Sequence, residues 1–348
     1  MASYVGIDLH RRRSVIVVLN EGGERVWSSR IENSRLNLEV ELRSIVAAVE
    51  APVHVVIEAT WGWHWAADVV TEIGLAMHLA HPMAIKGYEN RRVKTDWLDA
   101  ELLADLLRMG RLPEAWIAPP EIRELRELVR YRRKLAQLQA GLKAQVHQTL
   151  GKEGAIPETK SIWWSGGQRW LDELDMADAY TNRVESLRDL LALYHREIAA
   201  LDGMIHRAIM ANDDLRDGYE AIQVIGGVGR VLAAVFVAEI GDVHRFPSPR
   251  TLCSWAGLTP RHRESDVKIR RGRMTKQGPV LVRWAAVEAA TNAYCETRLR
   301  AAKRRVGERR GSRSARSPPS GSCSPRSSIG LRDGEIRSLQ DRHQPTAV

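Results

Sequence analysis

The sequence predicts an α/β domain at the N-terminus, followed by a mainly helical remainder. Short β-prone runs alternate with helical stretches over roughly the first hundred residues, and long segments with an apolar period of 3.6 residues follow them. The 348 residues are enough for two or three domains with buried cores, since 44% of them are hydrophobic. We place the predicted domains at residues 1–115, 116–212, 213–302 and 303–348.

The first domain has the order of elements expected of a ribonuclease-H-like fold. Three β-prone runs joined by short turns predict an antiparallel meander, and a β-α-β alternation comes after it. A helix capped by Asn33 and Ser34 separates these two parts. The predicted strands are 4–9, 14–19, 25–31, 54–58 and 75–79, and the predicted helices are 34–49, 63–73 and 97–109.

The middle of the chain predicts a hairpin of two long helices. Residues 122–150 and 180–211 carry large apolar side chains at helical spacing among many charged ones, and they flank an irregular Trp/Gly segment at 163–170. This pattern is typical of a coiled-coil hairpin that serves in dimerisation or as a spacer between domains. An ordinary helical bundle would show the same pattern.

The third domain predicts helices interrupted by a glycine-rich turn. Gly226, Gly227 and Gly229 resemble the turn of a helix-hairpin-helix element, in which backbone N–H groups approach a DNA phosphate. A plain glycine turn between packed helices is the alternative. Residues 311–328 are almost entirely Ser, Arg, Pro and Gly, and they predict disorder because they cannot bury enough apolar surface.

The distribution of charge favours a nucleic-acid partner. The net charge is +9, but residues 245–348 alone hold 23 Lys/Arg against 8 Asp/Glu. Basic side chains concentrated in one region neutralise phosphates and release their counterions. A basic tail that serves only solubility is the alternative.

Several other classes of protein are disfavoured. Cys253, Cys295 and Cys323 are too few and too scattered for a disulfide framework or a zinc site. No apolar run approaches the roughly 20 residues that span a bilayer, and the first residues lack the pattern of a signal peptide. We therefore expect a cytoplasmic protein of bacterial type, active at the nucleoid and without a membrane partner.

Four acidic residues predict a metal site. Asp8 and Glu58 occupy apolar predicted strands, where an unpaired charge is costly. Asp96 and Asp99 are three residues apart, which places them on one face of a helix. Converging carboxylates usually require divalent cations, and two Mg²⁺ ions can assist phosphodiester chemistry. Taken singly, each acid could instead simply face solvent.

A serine within a strongly basic run is a candidate nucleophile. Cations around Ser265 could hold a phosphate and stabilise an attacking alkoxide, although a surface serine in a basic loop is the alternative. Ser248 and Ser254 are poorer candidates. The basic residues expected to contact nucleic acid are Arg261, Arg263, Lys268, Arg270, Arg271, Arg273 and Lys276.

These segments resemble the DEDD insertion-sequence transposases, over roughly residues 3–300. Members of this family have a RuvC-like N-terminal domain, and they include the Piv-type invertases and the bridge-RNA-guided recombinases. Their D, E, D and D recur here in the same order and spacing. The motifs that carry the resemblance are Gly6-Ile-Asp8, Ile57-Glu58-Ala-Thr60, Lys94-Thr-Asp96-Trp-Leu-Asp99, Gly257-Leu-Thr-Pro260 and Arg271-Gly-Arg-Met-Thr-Lys276-Gln-Gly278.

The resemblance implies that the four carboxylates bind Mg²⁺ and that Ser265 becomes covalently linked to DNA. It also implies a homodimer or tetramer in which the serine and the carboxylates of different protomers meet. A structured noncoding RNA encoded by the element would select the element ends and the target DNA.

The sequence departs from the family pattern in two places. Glu264 and Asp266 flank the serine where many relatives have Ser and Gly. Segment 311–328 replaces an apolar helix, a change that a pair of compensating frameshifts would produce and that would impair this copy.

Three other functions fit parts of the pattern. The runner-up is a RuvC-like metal-dependent nuclease, such as a junction resolvase, in which Ser265 takes no part. An actin-like ATPase or sugar kinase is the second, because Gly6-Ile-Asp8 also begins that fold. The third is a non-catalytic nucleic-acid scaffold, which fits the charge but leaves the acids in apolar strands unexplained.

Overall fold

The computed structural model describes residues 2–88, 95–157, 161–265 and 268–292, with the backbone alone for Arg263 and residues 268–271. The chain divides into two compact units, Met1–Ala118 and Pro119–Val348. The predicted tail from residue 303 onward lies outside the described residues. None of the described helices is long and apolar enough to cross a lipid bilayer.

The first unit is a five-stranded sheet with helices on both faces. Its strand order is β3-β2-β1-β4-β5, and the α/β class predicted for this part of the chain is confirmed. The strands are β1 (Ser3–Leu9), β2 (Arg13–Leu19), β3 (Arg25–Glu32), β4 (Val53–Glu58) and β5 (Ala76–Ala80), and the helices are α1 (Arg35–Ala48), α2 (Trp63–Glu72), α3 (Pro82–Ile85) and α4 (Asp96–Arg108).

Strand pairing in this sheet changes from antiparallel to parallel at β1. Strands β1, β2 and β3 form an antiparallel meander, whereas β4 pairs in parallel with β1 and with β5. Parallel neighbours need crossover connections, which α1 and α2 provide. This order is consistent with a ribonuclease-H-like domain.

The two faces of the sheet differ because side chains alternate along each strand. Val5, Ile7 and Leu9 of β1 are buried in the core that includes Leu42 and Ile45 of α1. The alternate residues of β1, which include Gly6 and Asp8, face the opposite side, where α4 packs. The candidate carboxylates therefore lie on the α4 side of the sheet.

The second unit is mainly helical, as predicted, with one added pair of strands. Strands β6 and β7 form a two-stranded antiparallel sheet. The helices are α5 (Pro120–Lys152), α6 (Ser165–Asp172), α7 (Asp178–Met210), α8 (Asp213–Gln223), α9 (Arg230–Ile240), α10 (Pro249–Trp255) and α11 (Val280–Asn292), and the strands are β6 (Pro260–Ser265) and β7 (Lys268–Met274).

Helices α5 and α7 form a long hairpin, and its use in dimerisation or as a spacer stays a prediction. Near its tip, Val146 and Val184 share one buried cluster. Near its base, the Arg132 guanidinium binds the Asp202 carboxylate through two contacts of 2.7 and 3.1 Å. The two helices therefore run antiparallel over most of their length.

Helix α9 is buried and is fixed to α5 by arginines. Glu239 is only 3% exposed, and Arg130 donates to both of its carboxylate oxygens at 2.7 and 2.9 Å. Arg126 donates to the backbone carbonyls of Ala238 and Glu239 at 2.8 and 2.9 Å. These contacts compensate a carboxylate within an otherwise apolar helix.

The β6–β7 hairpin differs from the sequence prediction, which gave only helices and loops for this domain. Strand β7 reads Lys-Ile-Arg-Arg-Gly-Arg-Met, so it has no alternation of apolar and polar residues. The hairpin pairs by its backbone, with Ser265 opposite Lys268 at its tip.

Candidate catalytic site and nucleic-acid interface

Asp8 and Glu58 lie side by side at the carboxyl ends of two parallel strands. Ile7 of β1 is in register with Ile57 of β4, so the next residue of each strand is one of the two acids. Residues in parallel register point to the same face of a sheet. Both carboxylates therefore lie on the face that α4 covers.

The first turn of α4 supplies the other two acids. The Thr95 hydroxyl caps the helix by accepting a hydrogen bond from the Leu98 N–H, and Asp96 and Asp99 follow in the first turn. Negative side chains at this end of a helix are stabilised by the helix dipole. Local sequence thus places both acids at the start of α4.

Gly6 allows α4 to approach the sheet closely. A Cβ atom on Gly6 would lie 1.9 Å from the Ala100 carbonyl oxygen and 2.8 Å from the Ala104 nitrogen. The alanines of α4 rest directly on the backbone of β1 for this reason. This contact brings the first turn of α4 next to Asp8, two residues farther along β1.

His10 lies between the carboxylates of Asp8 and Asp96. Its Nε2 atom is 3.0 Å from Asp8 Oδ2 and 3.4 Å from Asp96 Oδ1. These three residues offer ligand atoms that all lie within 4.8 Å of one another. The sequence did not indicate that His10 belongs with these acids, because an exposed histidine after a strand carries no spacing signal.

Glu58 and Asp99 lie outside this group of three. Asp99 is nevertheless close enough to influence the charge of Asp8. The structure thus brings Asp8, Asp96 and His10 together, with Glu58 beside Asp8 in the strand register and Asp99 in the same helical turn as Asp96, and the convergence of all four acids on a metal stays a prediction.

A hydrogen-bonded turn fixes the position of His10. The Asn33 side-chain amide donates to the His10 carbonyl oxygen, and Asn33 in turn accepts a 2.6 Å hydrogen bond from the Ser14 hydroxyl. The His10 N–H also donates to the Arg13 carbonyl at 3.2 Å. Sequence patterns gave no indication of this support, because it joins Asn33, the residue after β3, to a turn 23 residues earlier in the chain.

Burial raises the pKa of the Asp8 carboxyl above its ordinary value. His10 opposes this effect, while the negative charges of Asp99 and Asp96 add to it. The Asp8 side chain is only 14% exposed, and its Oδ2 atom makes no well-directed hydrogen bond to any described residue. The contact with His10 therefore offsets only part of the cost of burying the charge of Asp8.

Replacing Gly6 with alanine is expected to disturb this arrangement. Helix α4 has to move by about 1 Å or more to accommodate the new methyl group, and displacements of that size in a catalytic group cost on the order of 10²-fold in rate. Cleavage of DNA strands, the activity that the sequence resemblance implies, measures this effect in the purified variant. Gly141→Ala is the control, because a Cβ there has open space, and equal rates for both variants would contradict the role of Gly6.

The other predicted site lies in the second unit. Ser265 is exposed and ends β6, and exposed Arg261, Arg273 and Lys276 belong to the same hairpin or its base. The side chains of the remaining four predicted contacts lie outside what the structure describes; they are Arg263, Lys268, Arg270 and Arg271. The structure gives these four only a backbone position on the two strands.

The other two candidate serines have different surroundings. The Ser248 hydroxyl caps α10 in a capping box with Thr251, so its side chain is committed to the helix end. Ser254 is exposed on α10. Gly226, Gly227 and Gly229 lie in the turn between α8 and α9, and their contact with a phosphate stays a prediction.

Three features anchor the base of the β6–β7 hairpin. Gly257 and Gly278 have positive φ angles of 67° and 87°, and added Cβ atoms would lie 1.9 Å from the carbonyl oxygens of Gln277 and Trp255. Arg283 Nη1 of α11 lies 3.1, 3.0 and 2.9 Å from three carbonyl oxygens at the feet of the hairpin. The acceptors belong to Ala256, Gln277 and Gly278.

Replacing Arg283 with methionine is expected to loosen this hairpin. Three carbonyl groups lose their common donor, so backbone amides of residues 259–276 should exchange hydrogen faster, by about 5-fold or more for a loss of about 1 kcal/mol. Hydrogen exchange followed by mass spectrometry measures this change. Arg250→Met, at an exposed position of α10, should leave the exchange unchanged, and unchanged exchange in Arg283→Met would show that the anchor is dispensable.

Each of the two units matches a known family of transposase domains. A family model described as transposase, of the DEDD type of IS110 elements, matches residues 5–153. A second model, described as transposase of the IS116/IS110/IS902 family, matches residues 219–306. The two matches include the four carboxylates, the glycine-rich turn and the β6–β7 hairpin.

Curated relatives carry corresponding names. The chain is 28% identical over 290 residues to a putative transposase, y4qE, of Sinorhizobium fredii, covering 83% of this chain and 71% of the relative. It is 23% identical to the transposase for insertion sequence element IS1111A of Coxiella burnetii, covering 82% and 76%. It is 28% identical to the pilin gene-inverting protein of Moraxella bovis, covering 63% and 60%. With both transposase domains present in this order, the chain belongs to the IS110 family of insertion-sequence transposases.

Proposed function

We propose that this DNA transposase cuts and rejoins strands with two groups of residues. The first is the acidic group of Asp8, Glu58, Asp96 and Asp99, and the second is Ser265. The observation that carries the proposal is the only partly compensated, largely buried Asp8 carboxylate beside Asp96 and His10. A charge held in this way at the end of a buried strand is costly unless a ligand compensates it.

The acidic residues fit a hard divalent cation such as Mg²⁺, two of which the sequence predicts. Carboxylate oxygens are the preferred ligands of Mg²⁺. A bound cation would lower the pKa of Asp8, which burial raises. A bound divalent cation stabilises charge that develops on phosphate oxygens. We assign His10 the role of orienting Asp8 and Asp96, because Mg²⁺ seldom binds imidazole nitrogen.

The proposed role of Ser265 is covalent. Its Oγ atom attacks the DNA phosphorus and forms an ester bond, while the deoxyribose oxygen leaves and takes up a proton. Rejoining reverses these events with a hydroxyl from another strand. The exposed position of Ser265 at the tip of a basic hairpin supports access to a DNA backbone.

We propose further partners because the motifs of this chain resemble those of the DEDD transposases. They are the element ends and target DNA, a structured noncoding guide RNA, and a second or further copy of the chain in a dimer or tetramer. In such an assembly, Ser265 of one protomer would meet the carboxylates of another.

Covalent trapping tests the joint use of both groups. Purified protein, Mg²⁺, the RNA transcribed from the element's noncoding flank and labelled DNA that spans an element end and a target are incubated and then separated on a denaturing gel. We expect a protein–DNA band that is absent in Ser265→Ala and in reactions with a chelator. Ser254→Ala, a change of the same kind at an exposed serine, should keep the band.

Other outcomes would redirect the assignment. A band that persists in Ser265→Ala removes the serine from the mechanism. Cleaved DNA without any covalent band in the unaltered protein favours the metal-dependent nuclease, in which Ser265 takes no part.

A further inference from the structure

The helical unit contains a cavity of about 390 Å³ among α5, α7, α8, α9 and α11. Its volume falls in the range of about 300–1,000 Å³ that is typical of small-molecule sites. Buried Val129, Ile205 and Val235 form its apolar part, whereas His206 and Arg230 are exposed. The cavity is thus apolar inside and cationic towards solvent.

The charges that line the cavity favour an anion. Arg132 is neutralised by its two contacts with Asp202. The Arg133 guanidinium lies 3.8 Å from the ring centre of Trp284, and Arg230 forms no ion pair with any described residue. Three guanidinium groups therefore line the cavity with one carboxylate among them.

Two further groups in the cavity have unused hydrogen-bonding capacity. Tyr219 is only 6% exposed, yet its hydroxyl makes no hydrogen bond within the described part of the chain. Helix α9 begins at Arg230, and Gly229 provides no side-chain cap for its first amides. Uncapped amides at a helix start bind anionic oxygens.

We infer that this cavity binds one unpaired nucleotide of a nucleic-acid strand. The base would lie against the apolar wall and meet the Tyr219 hydroxyl. Its phosphate would meet Arg230 and the first amides of α9. A base offers ring nitrogens and exocyclic groups to the Tyr219 hydroxyl and a flat face to the apolar wall, and an aliphatic anion offers neither.

The position of the glycine-rich turn strengthens this inference. Residues 226–229 directly precede Arg230, so a strand that follows this turn passes the opening of the cavity. That the strand belongs to the DNA or RNA handled by the transposase rests on the proposed function. Binding of a nucleoside monophosphate in the cavity is argued from the residues that line it and does not rest on the proposed function.

Binding to three matched probes tests the inference. They are a fully paired DNA duplex, the same duplex with one bulged 2-aminopurine, and the same bulge with an abasic residue, all measured by fluorescence anisotropy. Because stacking of one base contributes about 1–3 kcal/mol, we expect the bulged base to bind about 5-fold to 100-fold more tightly than the abasic bulge. The 2-aminopurine emission should also change on binding.

Substitutions identify the cavity as the site. Val231→Phe fills the cavity at a half-buried position and should remove the preference for the base while leaving abasic affinity within about 2-fold. Tyr219→Phe keeps the shape and should lower the preference in part. Arg230→Gln should weaken binding of the bulged probe more than Arg207→Gln, a control of equal charge on α7 that does not line the cavity.

Calorimetric titration with deoxyadenosine monophosphate separates this inference from the proposed function. If the unaltered protein binds the mononucleotide and Val231→Phe does not, the cavity is the binding site even if no duplex binds. Absence of duplex binding would count against DNA recombination alone. The inference is overturned if the unaltered protein shows no preference for the bulged base and binds no mononucleotide. Retention of the full preference in Val231→Phe also overturns it.

Discussion

Asp8→Asn is expected to abolish strand cleavage and, at the same time, to stabilise the cation-free protein. The first effect follows because removal of a carboxylate that would bind a divalent cation costs several kcal/mol of transition-state stabilisation, or a rate loss on the order of 10³-fold. The second follows from the raised pKa of Asp8, since burial makes its charge unfavourable in the folded state.

The pH dependence of this stabilisation has a definite sign. A carboxyl whose pKa is higher in the folded than in the unfolded state contributes stability below its ordinary pKa of 3.8, and this contribution is lost as pH rises through the folded pKa. Asparagine is neutral throughout. The melting temperature of Asp8→Asn should therefore exceed that of the unaltered protein at neutral pH, and the difference should vanish in acid.

Thermal melts with and without Mg²⁺ check this prediction. Mg²⁺ should raise the melting temperature of the unaltered protein and have little effect on Asp8→Asn. Glu39→Gln is the control, because Glu39 forms an exposed surface pair with Arg43, and its replacement should change neither property. A lower melting temperature for Asp8→Asn, or equal stabilisation of both proteins by Mg²⁺, would contradict the assigned role.

Glu239→Ala should destabilise the helical unit strongly. The Glu239 carboxylate is buried and binds Arg130 through two hydrogen bonds, so its removal leaves the Arg130 guanidinium without its partner. Loss of one member of a fully buried pair costs about 3–5 kcal/mol, and we expect about 2–3 kcal/mol here because Arg130 is more than half exposed.

Hydrogen exchange in α9 measures this loss where it arises. Amides of Arg230–Ile240 should exchange about 30-fold to 150-fold faster, as about 2–3 kcal/mol requires. Asp213→Ala is the comparison, because Asp213 is 83% exposed in its pair with Arg216 and should have little effect. Similar exchange in both variants would show that the buried pair contributes little.

Much of the first unit could be predicted from the sequence because its strands are short and strongly apolar. The acids stood out as charged residues in apolar strands, and Asp96 and Asp99 by their spacing in a helix. The closeness of α4 to β1 was not predictable, since it depends on Gly6 meeting Ala100, about ninety residues away. The same holds for His10, whose position depends on Asn33.

The second unit was less predictable where backbone pairing or distant residues decide the structure. Four of the seven residues of β7 are basic, so its pairing with β6 left no alternation of apolar and polar residues. The cavity is lined from five helices, and Tyr219 and Trp284 have no relation in sequence. Arg283 likewise acts on carbonyl groups up to 27 residues away.

The long hairpin formed by α5 and α7 sets the distance between its tip and its base. Helix α5 has 33 residues, which at 1.5 Å per residue is about 50 Å. Since DNA rises about 3.4 Å per base pair, this length corresponds to about 15 base pairs, or roughly one and a half turns of duplex. If the two ends of the hairpin each contact DNA, the length of the hairpin sets the distance between those contacts. Insertion or deletion of whole heptads in both helices would therefore change this distance by a fixed amount per heptad.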